Sequence, residues 1–168
     1  MAAVTAMPWV ATVVRLVLAG VLGLAGALKL PDPDAMVRAV RAYRLLPEGL
    51  VQVVGFGLPV LEVAVAVLLL LGLATRLAAV VTAVLMGVFA IGVASAWARG
   101  LTIDCGCFGS GGEVAAGQTS YPQVVTRDAA LVLAAGLLAW RPASRLSLDS
   151  LLSSSRSTEK PVPEGVSS

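Results

Sequence analysis

The sequence predicts an all-α integral membrane protein: a four-helix bundle, with a short amphipathic helix between the first two spans and a disordered C-terminal tail. Two observations carry that prediction. Of the 168 residues, 58% are hydrophobic and only 13% are charged, where a soluble domain has about 25% charged residues. A large core cannot absorb this deficit, because a domain of this size still exposes much of its surface and needs polar side chains to cover it. Lipid solvates the apolar surface instead. The second observation is that the apolar residues fall into four runs. A helix needs roughly 20 such residues to cross the hydrocarbon core.

Val10 to Leu28 contains one charge, Arg15; Leu50 to Leu73 contains one, Glu62; Leu77 to Ala98 contains none. The fourth, Ala129 to Trp140, is short. It spans if it starts near Val124 and carries Arg127 and Asp128 into the interface; otherwise it is re-entrant or interfacial. The four spans, about 10–28, 50–73, 77–98 and 124–140, make one transmembrane domain over 1–141. Trp9, Trp97 and Trp140 mark span ends, where amphipathic rings settle in a bilayer. Ala19, Gly23 and Ala27, and likewise Ala79, Ala83 and Gly87, put small residues at four-residue spacing, a face on which helices approach closely in lipid. Ala25-Gly26-Ala27 looks like a signal-peptide cleavage site. However, no basic segment precedes it and Arg15 lies inside the apolar run, so a retained helix is expected.

Between the first two spans, Pro31 and Pro33 break the first helix, and Asp32 or Asp34 is placed to cap a new one. From Asp34 to Leu46, Met36, Ala39, Val40 and Tyr43 share one helical face, and Arg38, Arg41 and Arg44 the other. That pattern predicts a helix lying on the membrane surface, ended by Pro47. The tail, 142–168, is rich in Ser and Pro and is expected to be disordered.

Composition also excludes some functions. A net charge of +2 with no basic run argues against a nucleic-acid partner. The absence of His removes the commonest general base and metal ligand. Four spans put both termini on one side. Arg15, Arg76, Arg141, Arg145, Arg156 and Lys160 then balance Lys29, Arg38, Arg41, Arg44, Arg99 and Arg127, so the positive-inside count does not orient the chain. Termini in the cytoplasm are expected on chemical grounds: a cysteine pair is best placed facing an oxidising compartment.

Two features carry candidate chemistry. Arg15 lies 13 residues before the end of the first span and Glu62 lies 12 residues after the start of the second, about 20 Å and 18 Å of rise. An intramembrane charge is costly unless paired, so Arg15 and Glu62 are expected to meet. They either lock two helices or line a ligand or proton site. The other feature is the loop Asp104-Cys105-Gly106-Cys107-Phe108-Gly109. Two cysteines one residue apart close a small, strained disulfide ring. Such a ring removes little chain entropy, and strained disulfides are more often labile or catalytic than structural. Redox exchange by Cys105 and Cys107 is the leading reading, and a metal or intermolecular role and a passive disulfide remain open. Arg99, Arg127 and the start of the fourth helix favour thiolate, while Asp104 opposes it. A metal would need ligands beyond two sulfurs and Asp104.

The motifs resemble a known family. Arg15, Gly26-Ala27-Leu28-Lys29-Leu30, Tyr43-Arg44-Leu45-Leu46-Pro47, Pro59-Val60-Leu61-Glu62, Arg99-Gly100 and Asp104-Cys105-Gly106-Cys107-Phe108-Gly109 occur in the order seen in the methylamine utilisation protein MauE family, within the wider DoxX-like membrane proteins. The resemblance covers about residues 10–141. It implies a four-helix membrane protein tied to redox chemistry. The member that gave the family its name is needed to mature methylamine dehydrogenase, whose small subunit is rich in disulfides, and relatives are thought to act with thioredoxin-like partners. By carry-over, Cys105 and Cys107 are the redox pair and Glu62 the polar residue of the bundle.

Two functional readings follow. In the first, Cys105 and Cys107 exchange electrons with an extracytoplasmic thioredoxin-like or disulfide-containing protein through a mixed disulfide. One cysteine pair is not a complete relay. Either a quinone, the one candidate cofactor, reacts with the pair directly, or a partner supplies the second pair, which is the expected arrangement. In the second, the protein is a membrane scaffold for a redox complex and the cysteines brace the loop.

Overall fold

In a bilayer, each backbone polar group must be satisfied within its own segment, which leaves helices as the way for these apolar runs to cross. The computed structural model describes residues 2–106, 112–115 and 119–140. It contains the helices α1 (Ala2–Lys29), α2 (Pro33–Ala42), α3 (Glu48–Leu71), α4 (Thr75–Ala98) and α5 (Tyr121–Trp140). A two-stranded hairpin, β1 (Ile103–Asp104) and β2 (Gly112–Glu113), sits between α4 and α5. Among the described residues, four helices are long and apolar enough to cross a membrane: Pro8–Lys29, Glu48–Leu71, Thr75–Ala98 and Tyr121–Trp140. The fourth starts three residues before Val124, so it has the length its apolar stretch alone lacks. The chain is a multi-pass membrane protein.

α1 packs along α3 and α4 along α5, and lighter α1–α5 and α3–α4 contacts close the square. The core between them is made by Leu18 and Leu22 of α1, Val65, Ala66 and Leu69 of α3, Ala78, Ala79 and Met86 of α4, and Ala135 and Leu138 of α5. The outward faces are apolar too: Val53, Ile91 and Leu133 are 67%, 72% and 69% exposed, as lipid-facing positions are. Trp9, Trp97 and Trp140 stand exposed at the ends of candidate spans.

Close approach in α1 is set by Gly26 more than by the predicted Ala19, Gly23 and Ala27 face. A Cβ on Gly26 would lie 2.7 Å from Val63 Cγ2 and 3.0 Å from the Pro59 carbonyl oxygen, whereas one on Gly23 would make an ordinary 3.5 Å contact with Ala66. Ala27 is exposed. In α4, Ala79 is fully buried but Gly87 has open space around it. These contacts fix the register: the end of α1 meets the middle of α3, not its beginning.

α2 is capped by Asp32, whose side chain accepts from the Ala35 N–H at 2.9 Å, with Pro33 opening the helix. Its apolar face is not laid into lipid as expected. Met36, Val37, Ala39 and Val40 are buried against Val51 of α3. Gly55 of α3 makes the fit possible, since a Cβ there would stand 2.6 Å from Val37 Cγ2 and 2.9 Å from its Cα. α2 ends at Ala42, earlier than Leu46, because Arg44 turns the chain with φ +52°. α3 is closed by Gly72 (φ +66°), with Gly72 N–H bonded to Leu69 O and Leu73 N–H to Leu68 O at 3.2 and 3.0 Å, a Schellman stop that turns the chain directly into α4. The tail from 142 lies outside the described residues.

Candidate functional site

Two polar constellations are built on this frame. The first is the cysteine hairpin, held at the α2 end of the bundle. Ile103 and Asp104 pair antiparallel with Glu113 and Gly112, an arrangement the glycine-rich sequence did not suggest. Ala42, Val93, Ala96, Ile103 and Tyr121 form a small buried cluster beneath it, with Tyr43 and Cys105 packed against that cluster. The Tyr121 hydroxyl donates to the Leu101 carbonyl and accepts from the Ile103 N–H at 3.2 Å. The Trp97 and Tyr121 rings stack at 6.2 Å.

Cys105 is half-buried. The Tyr43 hydroxyl donates to its carbonyl at 3.0 Å, and Arg99 Nη2 donates to the Tyr43 carbonyl at 2.6 Å. Arg99 therefore reaches the cysteine segment through Tyr43. An exposed ion pair, Arg44 to Glu113 at 3.0 Å, joins the chain after α2 to β2. Gly106 turns with φ +69°, a conformation glycine adopts without the penalty a side chain brings. Asp104 sits in β1 beside Cys105. Cys107 and Phe108 lie outside the described residues.

The second constellation lies inside the bundle. Glu62 is 1% exposed, and Lys29 Nζ donates to both of its carboxylate oxygens, at 2.7 and 2.8 Å. The partner of Glu62 is thus Lys29 and not the expected Arg15. The expectation matched depths by counting from the ends of two spans assumed to start level. The α1–α3 register is offset instead: Gly26 faces Pro59, Glu62 and Val63, which brings Lys29 to Glu62. Arg15 is buried 14 residues earlier on α1, about 21 Å of rise away. The Lys29 ammonium also stands over the Phe89 ring, 5.2 Å from its centroid, a favourable cation–π placement.

α5 adds a second pair. Arg127 donates from Nε to Asp128 Oδ1 at 2.9 Å and contacts the same oxygen from Nη2 at 2.8 Å; Asp128 is 1% exposed. Arg127 was expected to support the thiols, but its guanidinium engages Asp128 and lines the cavity that Lys29 and Glu62 also line. Lys29 and Asp128 were not singled out from sequence. Each lies near a span end, where a charge reads as an interfacial residue.

Fold and site together define a four-span helical membrane protein with an ion cluster within the bundle and a braced cysteine hairpin at one end. A comparison with known families narrows this. Residues 7–141 match the family model described as Methylamine utilisation protein MauE, and the chain belongs to that family. It is 41% identical over 139 residues to the methylamine utilization protein MauE of Methylorubrum extorquens, covering 82% of this chain and 73% of that one. Its identity to the protein of the same name from Paracoccus denitrificans is 38%, over 82% and 75% of the two chains. For the Paracoccus versutus protein it is 34%, over 82% and 73%. No solved structure matches the chain.

Proposed function

We propose that this chain is a membrane-embedded thiol–disulfide exchange protein that acts in methylamine utilisation on the maturation of a disulfide-containing or redox protein outside the cytoplasm. Cys105 and Cys107 are the exchanging pair, and the termini face the cytoplasm. The observation that most supports this is the bracing of the Cys105 backbone. Tyr43 holds its carbonyl, Arg99 holds Tyr43, and Tyr121 holds the strand before it. A braced backbone narrows the positions open to the thiol, which favours the aligned approach of an exchange reaction. The names of the relatives supply the metabolic setting.

The exchange balances within itself. One thiolate of the pair attacks a partner disulfide, forming a mixed disulfide and releasing one partner thiolate. The second cysteine of the pair then attacks its neighbour's sulfur. The partner leaves as a dithiol and the chain keeps a disulfide, or the reverse when the chain starts oxidised.

The test is a trap. Cys105→Ser and Cys107→Ser are expressed separately in the native membrane and examined on non-reducing gels with mass spectrometry. One single variant, but not the double variant, is expected to hold a thioredoxin-like or substrate protein through a reducible bond. If neither variant forms an adduct and both retain wild-type function, the bracing serves a scaffold and the exchange reading fails.

A further inference from the structure

A polar site in the middle of the bundle is untouched by the thiol reading. Lys29 of α1, Glu62 of α3 and Arg127 and Asp128 of α5 line a cavity of about 20 Å³, with Met86 and Phe89 of α4 on its apolar wall. Lys29 is committed to both oxygens of Glu62 and Arg127 to Oδ1 of Asp128. Asp128 Oδ2 is buried and accepts no hydrogen bond among the described residues. A buried carboxylate oxygen left in that state is costly. The cavity beside it is large enough for one water, which needs on the order of 10–15 Å³ and at least two polar partners. Asp128, whose Oδ2 is the unsatisfied acceptor, lines it, and the Lys29 ammonium has three donors, two of them accounted for by Glu62.

We propose that Asp128 is a proton-binding site in the membrane interior, exchanging its proton with a single water held in this cavity. Both protonation states are satisfied there. The carboxylate accepts from the water through Oδ2, and the acid donates to the same water. The charged groups facing it are Lys29 from α1, Glu62 from α3 and Arg127 from α5 itself. α4 brings none to the site, its Arg76 lying at the far end of that helix. Two cations against two carboxylates make the set neutral when Asp128 is ionised, and a bound proton leaves it with one positive charge. Arg127, a third exposed, is the side by which the proton enters and leaves. The proposal stands independently of the cysteines.

The test uses the full chain in lipid nanodiscs, labelled with carbon-13 aspartate, and solid-state NMR across the acid-to-alkaline range. Asp128 is assigned by loss of its signal in Asp128→Asn. If that variant does not fold, selective labelling of the Arg127–Asp128 pair assigns it, because no other Arg-Asp step occurs in the sequence. The expected result is a carboxyl carbon for Asp128 that shifts with pH and receives magnetisation from water protons. A carboxyl signal that stays fixed over the whole range, or one that receives no transfer from water, overturns the proposal.

Discussion

At the scale of single residues, the informative side chains are the charged ones that lipid should reject. Lys29 and Glu62 are each almost fully buried and bonded through two contacts below 3 Å. Their pairing offsets desolvation, while removing one partner strands the other. Lys29→Met should therefore cost roughly 3–5 kcal/mol, as breaking buried pairs does, and the double variant Lys29→Met/Glu62→Leu should recover most of it. Thermal inactivation of the detergent-solubilised protein, or its steady-state amount in the membrane, measures both. A double variant as impaired as the single would mean that the pair does more than neutralise itself. The sequence marks Glu62 plainly, because it is the lone acid in the apolar run from Leu50 to Leu73, where an unpaired charge is costly. It hides Lys29, because a lysine at the end of a span has an ordinary alternative in snorkelling to the interface. Asp128 is hidden because an acid near the start of a span reads as an interfacial residue.

At the scale of elements, the spans were legible because hydrocarbon leaves so little freedom: about 20 apolar residues must be helical there. The offsets between helices were not. They depend on close contacts between elements, α2 on α3 among them, and α2 reads from its sequence as a surface helix with a basic face. Its burial on α3 rests on Gly55, which lets the Val37 backbone come close, and nothing in the sequence sets Gly55 apart from Gly57, which has open space around it. The hairpin was equally hidden, since two-residue strands leave no periodicity. Gly26 is the corresponding contact between α1 and α3. Gly26→Ala should destabilise the bundle by about 1–3 kcal/mol through overpacking, because the Pro59 backbone cannot yield as a side-chain tip can. Gly20→Ala, with open space around it, should be close to neutral. Unfolding of the two variants side by side in the same detergent makes the comparison, and equal effects would refute the register described above.

At the scale of the whole molecule, α2, the α4–α5 hairpin and the Cys105 segment share one end of the bundle, joined by Tyr43, Arg99 and Arg44. Four spans return the chain to the side from which it started. Charge counting could not orient the molecule, because the basic residues divide evenly between the two ends. The proposed orientation predicts that a fluorescent protein fused after Ser168 lights up in the cytoplasm, while a periplasmic phosphatase at the same position stays inactive. The opposite pattern would place the cysteines in the reducing compartment and remove the chemical ground for exchange.

Thiol–disulfide exchange requires that Cys105 and Cys107 change redox state together during function. The most direct measurement is acid quenching of cells bearing the wild-type chain, followed by maleimide mass-tagging of free thiols and a gel shift. Exchange predicts two populations, both thiols tagged or neither, whose ratio moves when growth demands maturation of the partner protein. A single population, unchanged under oxidising and reducing growth alike, would contradict it and leave the cysteines as a fixed brace.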